Sequence, residues 1–226
     1  MKKTNFITIT VIIISFIIGI YCYPLLPSLI ISNFGVEGTA NKLISKFWGL
    51  FLIPIISFFI WILFMVLPKI DPLGKNIKKF EIYYDNFAFI IILFLFYIYV
   101  LSILWNFNIL VVNMTRMITP VLGLLFIYIG IIMKDIPRNW FIGIRTPWTM
   151  SNDIVWKKTH KRGSKLFIYS GIITFIGIFF TRYIFWFALV PVLVSSAYLV
   201  AYSYFEYCKL IRKVNLQTKK EEQMKN

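Results

Sequence analysis

Apolar residues fall in six long runs, separated by polar or proline-bearing breaks. A bilayer core takes about 20 mainly apolar residues per helix, within a range of about 17–25. By that measure the runs at 5–23, 47–67, 87–105, 117–133, 166–181 and 184–204 predict six transmembrane helices. Pro54 and Pro191 lie inside the second and sixth. Pro120 falls in the first turn of the fourth, where a missing N–H costs little. Little more than Arg182 and Tyr183 joins the last two runs, so they are expected to form a tight antiparallel pair. The first run follows Met1-Lys2-Lys3, as a signal peptide would. It is long for one, and Tyr23-Pro24-Leu25-Leu26-Pro27 follows it in place of a small-residue cleavage site, so a retained helix is expected.

Composition agrees with this pattern. Hydrophobic residues make up 59% of the 226, against about 45–50% in soluble domains. The formal net charge of +15 would suit a nucleic-acid partner. Here the basic residues sit in the breaks between apolar runs, so topology accounts for them and no direct nucleic-acid contact is expected. One set of alternate breaks holds 20 lysines and arginines and the other holds 4. That asymmetry places both termini in the cytoplasm. The expected fold is an all-α polytopic cell-membrane protein with six transmembrane helices. Its divisions are a two-helix region with an outer loop (1–84), a four-helix region (85–210) with a cytoplasmic loop (134–165), and a charged tail (211–226). Charged residues are nearly absent within the runs, which argues against an ion-coupled pump.

The polar stretch 139–163, NWFIGIRTPWTMSNDIVWKKTHKRG, stands out. It carries the sole histidine and three of the seven tryptophans. Gly143 gives backbone freedom before Arg145. Thr146 precedes Pro147 and should be extended. Trp148 could stack on the Arg145 guanidinium. Thr149, Ser151 or Asn152 could cap a short helix with Asp153 in its first turn. That helix is expected to end at Gly163. Trp156 and His160 would share one face. Lys157, Lys158, Lys161 and Arg162 form a basic flank suited to anionic lipid. A lone histidine without an orienting partner points to backbone hydrogen bonding or a place at the membrane interface, and not to general-base or metal chemistry. Arg145 suits headgroup anchoring, an ion pair fixing the turn, or contact with a partner protein. Cys22 and Cys208 lie at opposite ends of the chain and on opposite predicted faces, and no metal-ligand spacing occurs. No catalytic residue, metal or cofactor is expected.

In the outer loop, 24–45, Pro24 and Pro27 stop the first helix. Leu29, Ile30, Ile31 and Phe34 offer an apolar strip. The loop reads as a connector, or as a surface for an extracellular ligand such as a toxin.

The motif GIRTPWT followed by S-N-D-x-x-W-x-x-T-H-x-x-G resembles the signature of the SdpI family of polytopic membrane proteins. The matching residues are Asn139, Gly143, Arg145, Thr146, Pro147, Trp148, Trp156, His160 and Gly163, together with Ile144, Thr149, Ser151 and Thr159. The first two runs and their loop are similar to a domain of unknown function found in many members. Leu26, Pro27, Ile30, Phe34, Ser45 and Lys46 fit its pattern. Ile31 stands where a second proline is usual, and Asn33 where a histidine is usual. The resemblance implies resistance to a secreted membrane-active peptide, and signalling through capture of a small DNA-binding repressor at the membrane. It implies as partners the lipid bilayer, a peptide toxin on the outer face and a cytoplasmic regulator. A small membrane transporter or membrane enzyme is the remaining alternative. It would need a cavity joining Arg145, Trp148 and His160 to a carboxylate.

Overall fold

The computed structural model describes residues 2–35, 38, 40–110 and 112–225. Its elements are α1 (Lys2–Cys22), a hairpin of β1 (Leu29–Phe34) and β2 (Ala40–Ser45), α2 (Lys46–Ile70), α3 (Gly74–Lys79), α4 (Glu81–Asn106), α5 (Met114–Met133), α6 (Pro147–Ser151), α7 (Asp153–Ile176) and α8 (Ile184–Lys225). Two 3₁₀ turns, Gly177–Phe179 and Thr181–Tyr183, link α7 to α8.

Five helices, α1, α2, α4, α5 and α8, are long and apolar enough to cross a membrane among the described residues. Only 22–28% of each span is buried within the protein, so most of their apolar side chains point outward. A helix that is apolar all round needs an apolar surround, which a bilayer supplies. α7 falls short of that measure because Lys157, Lys158, Lys161, Arg162 and Lys165 precede its apolar part. Its apolar part begins at Leu166 and the α-helix ends at Ile176, short of the about 17 residues a span needs.

α1, α2 and α4 pack on one another, and α7 packs between α5 and α8. The contact between α4 and α5 is slighter. The hairpin closes the first group. Ile30 is buried with Cys22, Leu26, Leu50, Tyr99 and Ile103. Asn106, at the end of α4, pairs with β1 as a neighbouring strand would: it accepts from the Ile31 N–H at 2.8 Å and donates to the Ile31 carbonyl at 2.8 Å. At the opposite end, Ile77, Phe80 and Tyr84 meet Ile132, Ile136 and Trp156 in a second cluster that joins the two groups.

Glycines set the α5–α7 seam. A Cβ on Gly123 would lie 2.9 Å from the Gly171 carbonyl oxygen, and one on Gly130 would lie 2.7 Å from that of Ser164. The two backbones therefore touch, the close approach that small residues permit between membrane helices. At the end of the seam, a Cβ on Gly163 would lie 2.6 Å from Met133 Sδ. The order of these pairs makes α7 antiparallel to α5 along most of its length. α8 returns along α7 through Ser170–Ser195 Oγ contact at 3.0 Å and the Lys158–Glu206 ion pair at 2.7 Å.

Several expectations change. The outer loop is a β-hairpin whose strands carry a register irregularity at Asn33. Gly163 lies inside α7, which runs on to Ile176, because its place is fixed by packing against Met133 and not by a helix stop. α4 and α5 begin earlier than their apolar runs do, at Glu81 and Met114. Pro120 therefore lies beyond the first turn of α5. Cys22 is buried and Cys208 exposed, and both are free.

Candidate functional site

Residues 134–152 leave α5, form a tight loop and enter α7 through the short helix α6. Asn139 organises the loop. It is fully buried. Its Oδ1 accepts from the N–H groups of Phe141 (2.9 Å) and Ile142 (2.7 Å), and its Nδ2 donates to the carbonyls of Pro137 and Ile142, each at 3.0 Å. All of the amide's hydrogen-bonding capacity is thus turned onto one reversal of the backbone.

Gly143 has φ +116°, which L side chains rarely adopt. A Cβ there would collide with His160 Nε2. The absence of a side chain lets the imidazole reach the backbone. His160 Nε2 accepts from the Ile144 N–H at 3.0 Å, and Nδ1 lies 2.9 Å from the Trp156 carbonyl. These partners assign the proton to Nδ1. The ring stacks on Trp156 with centroids 3.9 Å apart, and the Trp156 indole N–H donates to the Ile136 carbonyl at 2.8 Å. Burial holds the His160 pKa down at about 4, against a smaller upward pull from the Trp156 carbonyl. The imidazole is neutral at physiological pH. Both nitrogens are engaged, so neither is left for a substrate or a metal.

Thr146 is extended, as the following proline requires. It caps α6 through a reciprocal pair with Thr149: the Thr149 N–H donates to Thr146 Oγ1 (3.2 Å), and the Thr146 N–H donates to Thr149 Oγ1 (2.9 Å). Pro147 opens the helix, where its missing N–H is harmless. Thr146 Oγ1 also meets Ser203 Oγ at 3.0 Å, which ties the loop to α8. Asn152 caps α7 by accepting from Ile154 and Val155. The Arg145 guanidinium donates to the Trp140 carbonyl. Trp148 packs edge-on against Tyr204 at 5.1 Å, so the expected Arg145–Trp148 stack does not form.

Three contributors escaped the sequence reading. Asp71, buried at the end of α2, accepts from the Trp140 N–H at 3.0 Å. Asn76 of α3 donates to the Arg138 carbonyl at 2.8 Å. Arg138 reaches forward to the Met150 carbonyl (2.7 Å) and to Asp153 (2.9 Å). The first two hold the loop from the other helix group, and nothing in local spacing connects them to it.

The hairpin residues lie at the far end of the bundle. Pro27 is exposed between α1 and β1. Phe34 packs edge-on against Trp105 at 5.5 Å. The backbone of Asn33 lies in β1, and its side chain lies outside the described residues. Arg145, Trp148 and His160 do not converge on one cavity. The space of about 450 Å³ beside Arg145 has no carboxylate among its described lining residues, and neither Trp148 nor His160 reaches it.

The SdpI/YfhL protein family matches residues 135–203, from the loop's entry to Ser203. A domain of unknown function, DUF1648, matches residues 10–58, which hold the hairpin. Over 214 residues the chain is 30% identical to the immunity protein SdpI of Bacillus subtilis (strain 168), covering 93% of this chain and 98% of that one. The chain belongs to the SdpI/YfhL family. No solved structure matches it. Membership and the apolar helices make this member a multi-pass protein of the cell membrane, and a non-enzymatic one. In this member the signature spends its polar groups on closing a loop and docking it to α2, α3 and α8.

Proposed function

We propose that this SdpI/YfhL member is a membrane immunity protein that gives resistance to a secreted membrane-active peptide. The observation that carries the reading is the 30% identity to an immunity protein over nearly the whole of both chains. Deleting the gene and challenging cells with peptide toxins of neighbouring strains tests it. Increased sensitivity to at least one, restored by the gene, is expected; unchanged sensitivity to all of them would sink the idea.

In this reading the run 166–181, the apolar end of α7 with the 3₁₀ turn that follows it, completes the sixth crossing, and both termini are cytoplasmic. The antiparallel run of α7 along α5 supports this, as does the 20-to-4 asymmetry of lysine and arginine. The outer hairpin, with Pro27, Asn33 and Phe34, is the face a secreted peptide meets first. The signature loop acts inward, by bracing the bundle and by presenting a surface to a cytoplasmic repressor. Trp156 is too buried to touch a partner, whereas Trp140 is 50% exposed and Ile154 is 52% exposed. A photocrosslinker at either position should trap a soluble regulator when toxin is present, and recovery of lipid alone would count against signalling. Pro147→Ala or Arg145→Ala should lower toxin resistance while membrane insertion stays intact.

A further inference from the structure

Behind the signature loop, a groove of about 580 Å³ opens between α3, the exit of α5 and the first turns of α7. Five cations line it: Lys79, Lys134, Arg138, Lys157 and Lys161. Asp135 and Asp153 are its two carboxylates, which leaves a net +3. Asp153 is taken up by Arg138 at 2.9 Å. The four lysines have no ion-pair partner among the described residues. Two lysines outside the groove do pair: Lys158, beside Lys157 on α7, and Lys209 of α8 both meet Glu206. Four lysines from three separate elements therefore line one concavity, with Asp135 as the one lining carboxylate not taken up by Arg138. Like charges sharing one concavity repel, and an anion among them offsets that repulsion. A concave wall of one sign also concentrates the field and draws counter-ions.

We propose that this groove binds a phosphate-bearing anion. Its volume lies within the usual range of small-molecule sites, about 300–1,000 Å³. A net +3 favours a phosphodiester or diphosphate over a zwitterionic headgroup, whose own ammonium would be repelled. Lysine suits phosphate as a mobile point charge. The source of the phosphate is an anionic lipid headgroup or a soluble phosphate, since both present the same chemistry. The floor of the groove is Ile136, Pro137 and Trp156. Ile136 takes the Trp156 indole N–H, and Trp156 stacks on His160. An anion clamped between Lys79 of α3 and Lys157 of α7 therefore braces the signature loop from behind and joins the two helix groups. This site stands apart from the immunity reading and survives its failure.

The test is titration of the purified full chain in zwitterionic detergent, with binding read by native mass spectrometry. The probes are phosphatidylglycerol, cardiolipin, phosphatidylcholine and inorganic pyrophosphate. The variants are Lys157→Gln with Lys161→Gln, and separately Lys134→Gln. The control is Arg212→Gln with Lys213→Gln, which removes the same charge from the exposed face of α8. Each lysine near an anionic surface is worth about 1 kcal/mol, so the groove pair should weaken binding about tenfold or more, with Lys134→Gln weakening it less and the control hardly at all. Phosphatidylglycerol or cardiolipin binding that depends on the groove, without pyrophosphate binding, identifies a lipid headgroup. Groove-dependent pyrophosphate binding identifies a soluble phosphate. Equal losses in groove and control variants overturn the proposal in favour of diffuse surface charge. Binding of neither anion class, or equal binding of phosphatidylcholine, also overturns it. Unchanged helix content by circular dichroism separates lost binding from lost fold.

Discussion

Trp156 and His160 stack one turn apart on α7, 21° from parallel, and between them hold two backbone groups of the preceding loop. Trp156 donates to Ile136 and His160 accepts from Ile144. The pair works as a peg through the loop: one end fixes its entry and the other its exit. His160→Ala leaves the Ile144 N–H without its acceptor. An orphaned buried group of this kind costs about 1–3 kcal/mol. Thermal unfolding in detergent should show a lower midpoint, with His160→Gln recovering part of it. A wild-type midpoint for His160→Ala would refute the peg.

Acid should loosen the same contact. The folded pKa of His160 is lowered to about 4 from 6.5. The unfolded chain therefore takes up a proton near pH 6.5, and the folded protein does so only near 4. Stability from this residue is complete above about pH 6.5, declines as the pH falls towards 4, and is flat below that. The full span corresponds to about 3 kcal/mol. Unfolding midpoints measured between pH 7 and 4.5 should fall in the wild type and vary less in His160→Gln.

Gly143→Ala and Gly163→Ala should differ in severity. The first forces a Cβ into φ +116° and against His160 Nε2. The second meets the ends of flexible side chains, Met133 Sδ at 2.6 Å and Ile144 Cδ1 at 2.8 Å, which can shift. Strain of the first kind costs about 1–3 kcal/mol before the lost hydrogen bond is added. Toxin survival and thermal midpoint should both rank Gly143→Ala below Gly163→Ala; the reverse order would mean that the loop tolerates displacement of His160.

Gly171→Ala tests the helix seam. Its Cβ would lie 2.5 Å from the Gly123 carbonyl oxygen, a backbone atom that cannot rotate away. α5 and α7 must separate, at about 1–3 kcal/mol for overpacking. Thermal unfolding in detergent should show a lower midpoint for Gly171→Ala than for the wild type, and an unchanged midpoint would refute backbone contact at the seam.

Asn139→Ala removes four hydrogen bonds from a buried position and orphans the N–H groups of Phe141 and Ile142. A loss of about 2–5 kcal/mol is expected. In inside-out vesicles trypsin should then cut at Arg138 or Arg145 faster than in the wild type. Equal rates would place the loop's rigidity elsewhere.

Much of this molecule was legible from its residues. Apolar runs of bilayer length mark α1, α2, α4, α5 and α8, because each must meet lipid along its own length. Pro147 after an extended Thr146, backbone freedom at Gly143, a cap among Thr149, Ser151 and Asn152, and the shared face of Trp156 and His160 also follow from local chemistry; the structure selects Asn152 for α7. What lay beyond local pattern was decided by partners distant in sequence. The hairpin at 29–45 hid in a proline- and glycine-rich loop, because Asn106, far along the chain, supplies the neighbouring edge that lets β1 form. Gly163 carries the local signal of a helix stop, yet only the approach of Met133 and Leu199 makes it an interior packing position. Asp71 and Asn76 join the signature loop through backbone groups of Trp140 and Arg138, and a backbone partner leaves no trace in residue type. Local pattern marked five helices long and apolar enough for a bilayer and the place where the loop turns. The tertiary structure alone decided what the loop is fastened to, since hydrogen bonds and close contacts depend on which surfaces meet in space.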